Sequence, residues 1–402
     1  MKTTILFTSL TLTLAWGMVH APALRADESD YSPTRYDADE AKEMRSFLRP
    51  FLDPSYIPSP EYLNSWPKAR AEGEYQATET PDQMKAHNAK LQVAYNAVVA
   101  ALPEKLSAPV TRKRKILVLT YRTHTYFGSA GAIILLREAA KKYGAFEVTE
   151  VYKPDGIDEK MLAGFDAVVL NGITIPFRNG PYGRPSKDYP ELMDVVKQMQ
   201  AENDKSQPHL YNELLPNYVK GGGGLVAIHG AFLLAGFVNG WEEKADDPKN
   251  VFSEMLGGAA GSWPHPHGKV LYYPFEMQIM EPENPLTLAF REAMASNIKI
   301  GSEAYVMWLP KACANDTRLL LRNDYDKQPG VDYNPKCIER SKEFASALIW
   351  IKNYGKGRVY GNVIGHAQND FEEPHKSRAL LDGLLYATGD LKVPDKPAKV
   401  GK

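Results

Sequence analysis

The sequence predicts an α/β protein: a mostly parallel sheet with helices on both faces, preceded by a helical N-terminal extension. Two patterns point there. The runs "KILVLTY" (115–121), "DAVVLNG" (166–172) and "GLVAIHG" (224–230) are almost continuously apolar, as strands covered on both faces are. Helical stretches lie between them, and that alternation is how βαβ units read. In such sheets ligands bind beyond the carboxyl ends of the strands.

The chain has 402 residues, 24% charged and 44% hydrophobic, which suits a globular protein. Lys2, the apolar stretch "ILFTSLTLTLAWGMV" and the small residues of "HAPALRA" make residues 1–26 a secretory signal peptide. An uncleaved anchor is the alternative. Export to the periplasm or the exterior is therefore expected. No 18-residue apolar run follows, so no membrane span is expected in the mature chain.

Residues 27–112 form the extension, with helical spacing in "DADEAKEMRSFLRPFL" and "TPDQMKAHNAKLQVAYNAVVAALPEKL". The main domain spans 113–392. It opens on the strand at 115–121, then an amphipathic helix at 130–144 closed by Gly144 and a strand at 146–152. A short helix "DEKMLAG", the strand at 166–172 and a helix "YNELLPNYVKGG" precede the strand at 224–230. Residues 176–208 read as an insertion over one rim.

Further on, 269–280 and 317–324 have strand character, and 346–366 reads as a hairpin turning at "NYGKG". An antiparallel edge on a mixed sheet follows. The helix 376–390 closes the domain, and 393–402 is a disordered tail.

Losing residues 1–26 removes Lys2 and Arg25 and no acid, so the net charge moves from −1 to −3. A surface of mixed sign offers no footprint for nucleic acid. In an exported chain, Cys313 and Cys337 read as a disulfide closing a loop, with two unrelated buried thiols as the alternative.

The glycine run "GGGG" (221–224) is neither a P-loop nor a dinucleotide fingerprint, because it precedes a strand rather than opening a helix. Its use is to end one helix and admit the next strand to a crowded sheet centre.

Five histidines fall at strand ends or turns: His124, His229, His265, His267 and His366. Histidine both gives and takes a proton near neutral pH, and its neutral ring ligates metals. In extended chain His265 and His267 would point opposite ways, and His265 is the one favoured for the site. "IGSEAYVMW" adds Glu303 as a carboxylate partner, with Tyr305 beside it.

In this order, "GGGGLVAIHGA", "LGGAAGSWPHP", "SEAY" and "YGKGRVYGNVIGH" resemble the ThuA-like (trehalose utilisation) family, from about Lys115 to Ala387. That resemblance implies a flavodoxin-like sheet of the class I glutamine amidotransferase type. Where amidotransferases carry a nucleophilic cysteine in a Gly-x-Cys-x-Gly elbow, this chain has Ile228-His229-Gly230, so thiol chemistry is excluded. The family pattern falls on His229, His265, Glu303, Tyr305 and His366, with the histidine after the first strand on His124. Ser302 stands where the family often has aspartate.

The resemblance implies acid–base chemistry on a sugar, keto-sugar or glycoside. His229, Glu303 and His366 would be catalytic, and His124, His265 and Tyr305 would hold substrate or a divalent metal such as zinc or manganese. Two other functions fit the same residues: a non-catalytic carbohydrate-binding protein and a metal-dependent hydrolase of another substrate. The sequence leaves the oligomeric state open.

Overall fold

The computed structural model describes residues 93–120, 126–151, 156–172, 209–238, 251–262, 273–324, 342–366 and 368–394. Residues 1–26, read above as a signal peptide, residues 176–208, read as an insertion, the tail beyond 394 and most of the expected extension lie outside these residues. Of the extension, residues 93–100 are helical.

The first half of the chain lays down four strands: β1 (Arg114–Leu119), β2 (Phe146–Val151), β3 (Ala167–Asn171) and β4 (Gly224–Ile228). Short pieces follow: β5 (Ala259–Ser262), β6 (Tyr273–Pro274), β7 (Met277–Ile279), β8 (Gly301–Ser302) and β9 (Val306–Trp308). Three longer strands complete the set: β10 (Thr317–Asn323), β11 (Ala347–Tyr354) and β12 (Gly357–Asn362).

Eight of them form one sheet in the order β2-β1-β3-β4-β12-β11-β10-β7. The first five run parallel, and β11, β10 and β7 add antiparallel pairs at one edge. The parallel part has the flavodoxin-type order 2-1-3-4-5, whose ligand crevice lies at the carboxyl ends of the strands.

Every residue of β3 and β4 is buried, as their unbroken apolar sequence requires. Helices α1 (Tyr126–Tyr143) and α2 (Glu159–Leu162) connect β1 to β2 and β2 to β3. The others are α3 (Leu215–Gly221), α4 (Gly230–Val238), α5 (Val251–Leu256), α6 (Leu288–Ala295) and α7 (Pro374–Thr388).

Adjacent residues of the central hairpin show both faces covered. Trp350 of β11 reaches one layer, its ring tilted 49° against Phe232 of α4 with centroids 4.6 Å apart, and donates to Leu256 O of α5 at 2.8 Å. Gly361, its cross-strand partner, has no room for a Cβ, which would sit 2.3 Å from the indole. The preceding residue, Tyr360, points the other way and donates to Ala379 O of α7 at 3.1 Å.

Three differences from the sequence reading have physical causes. The single strand expected over 269–280 is divided between β6 and β7, where Pro274 supplies no N–H to a ladder. Helix α4, "GAFLLAGFV", carries no helical stripe because it is apolar all round, the pattern of a helix submerged in the core. Cys313 is a buried free thiol, so the expected bridge is not made, and Cys337 lies outside the described residues. The Cys313 sulfur instead accepts from the Lys352 ammonium at 3.0 Å. Burial pushes its thiol pKa up.

Candidate active site

At the carboxyl end of β4 the chain turns sharply at His229, with φ +45°, and runs at once into α4. A side chain in this left-handed region costs about 1 kcal/mol or more. What holds it there is the ring. His229 is fully buried, its backbone N–H extends the sheet to Asn362 O at 2.8 Å, and its Nδ1–H donates to Val363 O at 2.7 Å.

The loop after β12 brings in the second histidine. Asn362 accepts the N–H of Ile364 at 2.9 Å, shaping the turn. Gly365, at φ +135°, lets the loop pass so close to β4 that a Cβ would lie 2.7 Å from Ile228 Cγ2. His366 then meets His229 edge to face, with ring centroids 4.9 Å apart.

Glu303 and Tyr305 arrive from the segment between β8 and β9. The Glu303 carboxylate lies 3.2 Å from His229 Nε2 and makes an ion contact with His366 Nδ1. His366 Nδ1 is 3.1 Å from His229 Nε2, and the Tyr305 hydroxyl hydrogen-bonds that same Nε2. The ligating atoms of His229, Glu303 and His366 all lie within 4.8 Å of one another, a set that can hold a metal ion. Side-chain exposure is 0% for His229, 2% for Glu303 and 12% for His366, so His366 is the most accessible of the three. Burial alone would raise the Glu303 pKa, but the His366 and His229 rings beside it hold the carboxyl well below its usual range.

A second layer braces this centre. Ser302, next to Glu303, donates to Asp370 at 2.8 Å. Asp370 in turn takes the buried Lys376 ammonium at 2.7 Å, and Lys376 also holds Glu373 at 2.9 Å and the carbonyl of Gly301. Burial opposes the Lys376 charge, and the carboxylates of Asp370 and Glu373 more than offset it, raising its pKa. One ammonium thus joins the backbone before Glu303 to the turn after His366.

Four of the six residues picked from the sequence therefore converge: His229, Glu303, His366 and Tyr305. His124 and His265 lie outside the described residues. Trp308 is buried. The sequence reading missed Asn362 and Val363, which orient His229, and the Ser302–Asp370–Lys376 brace. Their signal was present in "GNVIGH" and in a lysine on the apolar side of the last helix, but neither is informative until β4 and β12 are known to be neighbours.

This is an α/β sheet of flavodoxin order whose strand–turn–helix elbow presents histidine, backed by a buried glutamate. The family model for ThuA, trehalose utilisation, matches residues 115–387, and the chain belongs to that family. Among solved structures, a ThuA-like protein from Bacteroides uniformis is 16% identical, with TM-score 0.39, covering 70% of this chain and 93% of that one. A ThuA-like protein from Parabacteroides merdae is 15% identical, with TM-score 0.38, covering 71% and 94%. A cytoplasmic protein from Salmonella typhimurium is 14% identical, with TM-score 0.39, covering 68% and 99%. No curated protein matches the chain.

Proposed function

We propose that the chain is a carbohydrate-active enzyme whose His229–Glu303–His366 centre performs acid–base chemistry on a sugar, keto-sugar or glycoside. One observation carries this reading: two imidazole nitrogens and a carboxylate oxygen meet at a single buried point at the carboxyl edge of the sheet. The carbohydrate class comes from the family's description, trehalose utilisation. His229 keeps its Nδ1 proton on Val363 O, so Nε2 is the atom that exchanges. Glu303 stabilises the charge when Nε2 is protonated. His366, the most accessible of the three, meets substrate first. A base near neutrality beside a carbonyl carbon is what enolisation of a keto-sugar needs.

The test is solvent deuterium exchange. The protein is incubated in D2O with keto-disaccharides and their parent disaccharides, and proton loss is followed by NMR. Exchange or product that disappears in His229→Ala, with the thermal melt retained, supports the reading. Calorimetric binding of the sugar without exchange or product makes the protein a carbohydrate-binding module instead.

A second reading has its own observation. With Nδ1 committed to Val363 O, the neutral His229 ring turns its acceptor Nε2, which the Tyr305 hydroxyl also contacts, toward a carboxylate 3.2 Å away. Two acceptors face each other there, and a divalent cation between them resolves the conflict as well as a proton does. A histidine bonded to a carbonyl through its other nitrogen is the usual arrangement of a metal ligand. A zinc or manganese ion there would polarise a substrate carbonyl or activate water. Metal analysis of the purified protein decides: a stoichiometric ion lost in Glu303→Gln and His366→Ala establishes the metal form, and its absence leaves the proton.

We also propose export, from residues 1–26. N-terminal sequencing of the secreted protein should begin near Leu24 or Asp27, after the small residues Ala23 and Ala26.

A further inference from the structure

At the opposite, amino-terminal end of β12, a cavity of about 310 Å³ has five cations in its lining, Arg318, Lys352, Lys356, Arg358 and Lys392, against one carboxylate, Asp316. Its charges are unevenly matched. Arg318 is held by Glu281 at 2.9 Å, and Lys352 by Asp316 at 3.1 Å. For Lys356, Arg358 and Lys392, no carboxylate lies within ion-pair range among the described residues. The whole chain carries a net charge of −1, so this concentration is not the overflow of a basic protein.

The cations are also built in place rather than scattered. The hairpin turn that presents Lys356 and Arg358 is seated on the end of α3, where Lys356 N donates to Lys220 O at 3.0 Å. Gly355 has φ +61° and stands where a Cβ would lie 2.7 Å from the Lys220 backbone. A Cβ at Gly357 would come within 2.1 Å of Val219 O. The turn therefore has one seating. The Arg358 guanidinium rests over Gly389 at the end of α7, where a Cβ would meet Nη1 at 2.7 Å. The carbonyl end of that helix offsets only part of its charge.

We propose that this cavity is a second ligand site, for a small molecule bearing a phosphate group. Its volume is at the lower end of small-molecule sites, enough for a phosphomonoester or a diphosphate. A phosphate dianion would neutralise the unmatched cations, and the planar Arg358 fork suits paired phosphate oxygens where an ammonium does not. The site stands independently of the histidine centre, which lies at the other end of β12.

The test is calorimetry and thermal shift on the full chain, with inorganic pyrophosphate and a sugar phosphate as probes and sodium chloride at matched ionic strength as control. Saturable binding of either probe is expected, the tighter one identifying diphosphate or ester chemistry. The double variant Lys356→Gln/Lys392→Gln alters two exposed side chains and should weaken binding by about tenfold or more, a loss of over 1 kcal/mol. Arg358→Lys should weaken it too, and His229→Ala should bind as the native chain does. The proposal is overturned by a shift no greater than sodium chloride gives, by undiminished binding in the double variant, or by binding that depends on His229.

Discussion

The ring of His229 donates its Nδ1 proton to the main-chain carbonyl of Val363, 2.7 Å away. The donor ends one strand and the acceptor follows its neighbour, so the loop that delivers His366 also sets the tautomer of His229. Backbone geometry thus decides which ring nitrogen faces Glu303.

The backbone at His229 is strained, and the strain is separable from the ring. At φ +45° alanine keeps the unfavourable conformation and loses the hydrogen bonds, whereas glycine loses the same bonds without the strain. His229→Gly should therefore be more stable than His229→Ala by about 1 kcal/mol. Urea unfolding of the two variants measures it, and equal midpoints would show that the turn is relaxed.

Lys376 should be among the most sensitive residues outside the centre. Lys376→Met leaves the buried Asp370 carboxylate without its ammonium and should cost about 3–5 kcal/mol. Adding Asp370→Asn removes the stranded charge and should recover part of that loss. Additive losses in the double-mutant cycle would refute coupling between the two.

Asp382 gives the stability curve a distinctive slope. Burial raises its carboxyl pKa to about 6, and Arg378, 3.7 Å away, only partly opposes this. The folded chain therefore binds this proton more tightly than the unfolded one. The resulting stabilisation is full below about pH 4 and is lost as pH rises through 6. Asp382→Asn should gain up to about 3 kcal/mol at pH 8, the worth of a roughly hundredfold tighter proton, and nothing below pH 4. Denaturant midpoints across that range test it; a gain independent of pH would mean that the carboxylate is not the cause.

Within "GGGG" the glycines are not equivalent. Gly221 faces open space, so Gly221→Ala should leave stability unchanged or raise it by about 0.5–1 kcal/mol. A Cβ at Gly224 would sit 2.5 Å from the carbonyl oxygen of Ala387, which is main chain and cannot swing aside. Gly224→Ala should cost about 1–3 kcal/mol or more. Melting temperatures of the two single variants settle the contrast.

The parallel sheet was readable because β1, β3 and β4 are buried on both faces and therefore unbroken in their apolarity. His229 stood out because an ionisable side chain ended such a run. Helix α4 was hidden by the same logic: a helix buried all round has no stripe to read. Strands β8 and β9 are only two and three residues long, below the length at which alternation can be recognised. The partnership of Glu303 with His366 was proposed from an ordered set of motifs, but its geometry depends on sheet order, which no local pattern encodes. The Lys376 brace was invisible for that reason too, since it joins segments from Gly301 to Lys376 through one nitrogen.

The pairing of Ile228 with Asn362 has a consequence for how the chain is made. His229 emerges from the ribosome 137 residues before His366, and the two meet only when β12 slots in beside β4. Until then the nascent protein carries half a centre. A chain stopped before β12 would never bring the two rings together, however well its first four strands had folded. Whatever both rings grip acts as a clasp on the last central strand, and its binding energy appears as resistance of the finished sheet to unfolding.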